Sequence, residues 1–223
     1  MDLLLTKLNY TFQNIKLLKQ ALIHRSYSET NNERLEFLGD GCLNFIVAEA
    51  LFRRLPDAKE GELSNLRSHL VKEETLAEIA LQLGLNHYII LSHGEKKNDG
   101  AMRPSTLADT LEAILGAIFL DSCFGTVRRV ILELYEPYFA RIKNQGIKDL
   151  NEHFKDPKSR LQEKLQALNK EIPVYEIIEI SGKDHEQLFK VACRFEGHIS
   201  TAEGTSKKRA EQKAARLMLD KLS

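Results

Sequence analysis

Two stretches of the chain set acidic side chains at helical spacing within otherwise apolar sequence. The first reads Glu33-Arg34-Leu35-Glu36-Phe37-Leu38-Gly39-Asp40 and continues apolar to Phe52. The second reads Thr106-Leu107-Ala108-Asp109-Thr110-Leu111-Glu112 and continues apolar to Leu120. At roughly 100° per residue, Glu33, Glu36 and Asp40 share one sector of a helix, and Asp109 and Glu112 share a sector of another. Ionised carboxylates are rarely buried without a compensating charge. Glu36 and Asp40 facing Asp109 and Glu112 would bring four carboxylates together between two packed helices. Left empty, such a cluster repels itself; a divalent magnesium or manganese ion, which prefers hard oxygen ligands, would offset the repulsion and suit phosphoryl transfer. The competing reading is a solvated acidic face with Glu33 and Asp109 as helix caps. Phe37, Leu38, Leu43, Phe45 and Ile46 on one stretch, and Leu111, Ala113, Ile114 and Leu115 on the other, leave little room for such a face.

Rival chemistries have weaker signals. The seven histidines form no HxxxH or HExxH pair, and no G-x-S-x-G elbow occurs. Cys42, Cys123 and Cys193 are far apart and odd in number, which argues against a disulfide framework or a zinc–thiolate site and fits a reducing compartment. No secretion signal or membrane-spanning run stands out, so the expected address is the cytoplasm, with no membrane partner.

The elements that must position the acids come from periodicity. Apolar residues recur at helical spacing over 15–24, 35–52, 63–83, 107–120 and 127–142. Thr30-x-x-Glu33 and Thr106-x-x-Asp109 match the capping-box pattern and mark two helix starts. The pattern lapses near Asn144-Gln145-Gly146, where a linker over 146–155 is expected. Asp156 and Pro157 then open an amphipathic helix to about Asn169. The period shifts to that of strands over 174–180, 186–195 and 198–203, and Ser206 opens a last helix to Leu222. The fold class expected is an all-α domain over 1–145 followed by a small α+β (α-β-β-β-α) domain over 156–223. Net charge is zero, yet residues 206–216 hold five basic residues and one acid. Basic side chains at a helix start oppose the helix dipole, so Lys207 and Lys208 suggest an external anion there.

The run Asn32 to Asp40 resembles the signature of the ribonuclease III family. Leu66-Arg67…Leu70-Val71, Leu76-Ala77 and Leu107 to Ala113 follow in that family's order and spacing, and the C-terminal element order resembles a double-stranded-RNA-binding domain. The resemblance implies a magnesium-dependent endonuclease, with manganese able to substitute, that cleaves double-stranded RNA to 5′-phosphate and 3′-hydroxyl ends with two-nucleotide 3′ overhangs. It implies roles in ribosomal RNA precursor and messenger RNA processing. By the same resemblance Glu36, Asp40, Asp109 and Glu112 bind the metal, Asp40 and Glu112 being most critical, while Glu33 and Glu60 lie near the scissile region. Gln162, Glu163 and His185 would reach RNA minor grooves, and Lys207 and Lys208 the intervening phosphates, with Arg209 and Lys213 as helpers. A homodimer of the helical domain would supply a second cutting site; Phe37 and Leu38 are candidates for its seam, or equally for an intramolecular core. Gly41 departs from the family pattern, which commonly has Ser or another side chain after the Asp. The alternative is a non-catalytic scaffold that binds double-stranded RNA, which a missing acid would signal. A prenyl-synthase-like diphosphate enzyme would need a D-D-x-x-D pattern that the sequence lacks.

Overall fold

A computed structural model describes residues 1–145, 157–182 and 187–222. The chain divides into two compact units, Met1–Asn151 and Glu152–Ser223. The expected linker over 146–155 and His185 lie outside the described residues. No helix among those described is long and apolar enough to cross a membrane.

The first unit is helical: α1 (Asp2–Leu8), α2 (Ile15–Ala21), α3 (Glu33–Arg54), α4 (Glu60–Leu70), α5 (Glu73–Leu83), α6 (His93–Lys97), α7 (Pro104–Asp121) and α8 (Phe124–Gln145). At its centre lies α7, whose Leu107, Leu111, Ile114, Leu115 and Ile118 are fully or almost fully buried. Helices α2, α3, α5 and α8 all pack against it. On α3 the buried residues Leu35, Gly39, Cys42, Leu43, Ile46, Val47 and Ala50 recur at three and four, forming the stripe that meets α7. The two helices touch through glycine. A Cβ added at Gly39 would lie 1.8 Å from the Glu112 carbonyl oxygen, and one at Gly116 would lie 2.2 Å from that of Leu35.

Three local expectations are corrected. The single helix over 63–83 is two helices, broken at Val71 and Lys72. Its apolar spacing fails between Leu70 and Leu76, where a continuous helix would have put Glu73 and Glu74 on the buried side. The Tyr135 hydroxyl donates to the Leu70 carbonyl at 3.0 Å, and the Thr75 hydroxyl to that of His69 at 2.8 Å, satisfying the broken end. Thr30 does not cap α3; the Glu33 N–H donates instead to Asn31 Oδ1 at 3.0 Å. Thr106 does not begin α7 either, because Pro104 occupies the first helical position, where its missing N–H costs nothing. Periodicity also passed over α1, a short helix that buries Leu4 and Leu8.

The second unit runs α9 (Pro157–Ala167), β1 (Val174–Ser181), β2 (Leu188–Phe195), β3 (His198–Gly204) and α10 (Lys207–Lys221). The strands form an antiparallel sheet in the order β1-β2-β3. Leu161 and Leu165 of α9, Cys193 and Phe195 of β2, and Ala214, Ala215 and Met218 of α10 make its core. Small residues let α10 lie close to the sheet: a Cβ at Gly204 would come within 2.6 Å of the Ala210 nitrogen. Of the two phenylalanines of β2, Phe195 is buried and Phe189 partly so. Leu217 is exposed, at the edge of the face of α10 that its alanines bury.

Candidate active site

The crossing of α3 and α7 puts their acids together. Glu36, Asp109 and Glu112 each offer a carboxylate oxygen, and these oxygens lie within 4.8 Å of one another. All three residues are half-buried, and among the described residues no ion pair engages any of them. Burial pushes the Glu112 carboxyl up to about 8, aided by the charges of Asp40, Glu36 and Asp109. Glu36 is raised by burial and then by Asp109 and Glu33, with Arg25 opposing. Asp109 is raised by burial and then by Glu73, with His24 and Arg25 opposing. Three oxygen donors held towards the protonated form, first by burial and then by neighbouring acids, are complementary to a divalent cation, whose binding would release those protons. The donor set therefore fits a hard metal ion.

Asp40, the fourth acid of the expected set, is one turn further along α3 and exposed. Its Oδ1 accepts from the Asn44 side-chain amide at 2.6 Å. Its charge still acts on Glu112. Asn44 was legible as the residue four positions on, but nothing in its type marked it. Glu33 opens α3 on the cluster's rim, accepting from Asn31 at 3.2 Å and pairing with Arg25 at 3.6 Å. Glu60 is not brought to the cluster. It opens α4, accepts from the Ser64 hydroxyl at 2.8 Å, and lines an apolar groove with Phe45, Ala48, Phe52 and Leu63.

Phe37 is 82% exposed, and Phe45 and Phe52 are exposed on the same helix, so the intramolecular-core reading fails for Phe37; Leu38 is half-buried. Gly41 has open space around it: an added Cβ meets nothing within 4 Å. Gly41→Ala should therefore raise stability by about 0.5–1 kcal/mol through helix propensity alone, read as a higher urea midpoint at unchanged slope.

In the second unit Gln162 and Glu163 are neighbouring exposed positions on α9. Lys207, Lys208 and Arg209 are exposed at the start of α10, where the Ser206 hydroxyl caps the helix by accepting from the Arg209 N–H at 3.2 Å. Lys207 is 4.0 Å from Glu211, a carboxylate that Lys158 already holds at 2.7 Å. The lysines thus stand at a positive helix terminus with their charge largely uncompensated, an arrangement that suits an anion.

Known proteins share both units. A ribonuclease-III-like family model matches residues 14–138, and a double-stranded RNA binding motif matches residues 157–222. Ribonuclease 3 of Alkalilimnicola ehrlichii is 48% identical over 99% of this chain and 95% of that protein. Ribonuclease 3 of Vibrio cholerae is 45% identical over 100% and 97%. A solved structure of the nuclease domain of ribonuclease III from Campylobacter jejuni, described for flexibility in its region of dimer formation, is 44% identical with a TM-score of 0.61. That match covers 62% of this chain and 98% of that one. The likeness runs through the helical unit with its converging acids and on through the sheet and its basic helix, and this chain belongs to the ribonuclease III family.

Proposed function

We propose that this chain is a magnesium-dependent endoribonuclease that cuts double-stranded RNA, leaving 5′-phosphate and 3′-hydroxyl ends with two-nucleotide 3′ overhangs. The observation that carries the reading is the convergence of Glu36, Asp109 and Glu112 on one point between α3 and α7. These three carboxylates would hold the cation, magnesium or in its place manganese, with Asp40 contributing from the next turn. Once bound, the cation would polarise a phosphate oxygen and acidify water. The chemistry adds water across one phosphodiester: its oxygen attacks phosphorus opposite the 3′ oxygen, the P–O3′ bond breaks, and the 3′ oxygen leaves as a hydroxyl. A bound cation would favour the ionised form of Glu112, whose carboxyl burial pushes up to about 8. Asn44 fixes the orientation of Asp40, and Glu33 stays on the rim.

One cluster addresses one strand, so cutting both asks for two copies related by a twofold axis. The exposed Phe37, Phe45 and Phe52 supply an apolar face on α3 for that contact. Glu60, set in the groove beside Phe45 and Phe52, would reach a scissile region only across such a seam. We assign residues 1–145 to catalysis, 146–155 to a linker and 156–223 to duplex binding, in a cytoplasmic enzyme of ribosomal and messenger RNA processing. In the second domain Gln162, Glu163 and His185 would contact minor grooves and Lys207 and Lys208 the phosphates between them. The scaffold alternative is disfavoured because no acid of the two stripes is missing.

Incubating the protein with long duplex RNA, with and without magnesium, tests the reading. Metal-dependent fragments carrying 5′-phosphates are expected; an intact duplex, or equal attack on single strands, would overturn it. Changing Lys207 and Lys208 together to Ala should weaken duplex binding and reduce its log–log salt slope by about 2, about one per phosphate contact. A filter-binding series in calcium across salt concentrations measures this, and an unchanged slope removes both lysines from the interface.

A further inference from the structure

Between α2 and α3 the chain is pinned beside the acids. Ile23 bridges Ile90; the His24 N–H donates to the Ile90 carbonyl at 3.0 Å, and the Ile90 N–H to that of Leu22 at 2.8 Å. The Ser26 N–H donates to His24 Nδ1 at 3.1 Å. The Ser26 hydroxyl oxygen in turn accepts from the Ser92 N–H at 3.1 Å. Arg25 therefore lies between two residues whose positions are fixed, while its own side chain projects into solvent.

That side chain is 72% exposed and holds Glu33 at 3.6 Å, too long for a good hydrogen bond and between two exposed groups. Such an exposed pair contributes little to stability, so exchanging it for another anion is easy. Yet the guanidinium is near enough to act on both Glu36 and Asp109. The position is that of a permanent cation on the rim of an acidic cluster, on a rigid backbone and loosely held. An RNA strand approaching Glu33, Glu36, Asp40, Glu73, Asp109 and Glu112 meets like charge, and carboxylate-bound ions relieve that only at the centre. A guanidinium takes two phosphate oxygens side by side, in the geometry it offers to carboxylates.

Accepting the endoribonuclease reading above, we propose that Arg25 contacts the RNA during cleavage, leaving Glu33 to grip non-bridging oxygens of the phosphate that enters the Glu36–Asp109–Glu112 cluster. Glu33 is then a placeholder anion that keeps Arg25 aimed at the site between turnovers.

The test uses the full chain, with a short duplex RNA as probe. Arg25→Ala should melt with wild type, since the side chain is exposed, and should lower single-turnover cleavage at saturating duplex by about tenfold or more. Its duplex binding in calcium should lose about one unit of salt slope per copy. Arg25→Lys should recover the slope, which needs only charge, but not the rate, which needs the paired donors. Glu33→Gln should tighten duplex binding clearly more in the wild-type background than beside Arg25→Ala. Wild-type cleavage by Arg25→Ala would overturn the proposal. So would an unchanged salt slope with a raised magnesium requirement, which would make Arg25 a tuner of the carboxylates alone. Wild-type protein runs alongside: if it fails to cut duplex, the enzyme reading falls, while the calcium slopes still decide whether Arg25 touches phosphate.

Discussion

Glu112→Gln should abolish duplex cleavage while leaving duplex binding in calcium intact. Loss of a mere supporting partner at a metal site costs about 10–100-fold, and loss of a ligand more, so a fall of at least about a thousandfold is expected. The same substitution carries a signature that does not depend on activity. Without metal, the Glu112 carboxyl is pushed up to about 8 by burial and by Asp40, Glu36 and Asp109, against about 4.3 in an unfolded chain. Between those values the folded protein binds a proton that the unfolded chain does not. Stability must therefore fall as pH rises through that window. Metal-free wild type should melt lower at pH 8 than at pH 6, and Glu112→Gln should flatten that slope and melt higher than wild type at pH 8. Magnesium should raise the wild-type transition and move the variant far less. Melting curves of the full chain at the two pH values, with and without metal, decide it. A variant that keeps the wild-type pH slope would show that Glu112 is not the strained group.

The largest effect on folding is expected at the helix crossing. Gly39→Ala would put a methyl group 1.8 Å from the Glu112 carbonyl oxygen, and Gly116→Ala one 2.2 Å from that of Leu35. Both obstacles are backbone, so no rotamer change makes room, and α3 and α7 must move apart. Overpacking of this kind costs about 1–3 kcal/mol and occasionally more, against about 1 kcal/mol gained in helix propensity. We expect each variant to be destabilised by about 2 kcal/mol or more and to bind magnesium poorly, since Glu36 and Glu112 lie on the parting helices. Gly41→Ala is the internal control: the same chemistry on the same helix, two residues from Gly39, with the opposite sign. Urea unfolding of the three variants side by side measures it, and a Gly39→Ala protein as stable as Gly41→Ala would refute the close approach.

The acids were readable because helix geometry turns spacings of three and four into one face, and Glu36, Asp109 and Glu112 do converge. The order of elements in the second unit was readable from the change of period after Asn169. What spacing alone left open was orientation. Asp40 shares the stripe, yet its carboxylate is engaged by Asn44, a side-chain hydrogen bond that no pattern encodes. Glu60 was paired with the site through a family likeness, but α4 places it beside Phe45 and Phe52. The starts of α3 and α7 were misplaced because Asn31, not Thr30, accepts from the Glu33 N–H, and Pro104 lets α7 begin two residues before Thr106. Phe37 was evenly balanced between a dimer seam and an intramolecular core, because an apolar residue on an apolar helix reports its face only once the neighbouring helix is known.

The contact of Gly39 and Gly116 with the opposing main chain makes the interval between the two acid-bearing segments a property of backbone thickness. Side-chain volume elsewhere in the unit does not enter it. A bulkier or smaller residue at Ile46, about two turns from Gly39, would tilt α3 on α7 about this point as about a fulcrum, opening the far ends and leaving Glu36 and Glu112 nearly in place. The interior can accordingly drift through many apolar combinations while the ligand spacing stays constant. Thermostabilising substitutions sought in this protein belong at the ends of that lever, away from its pivot.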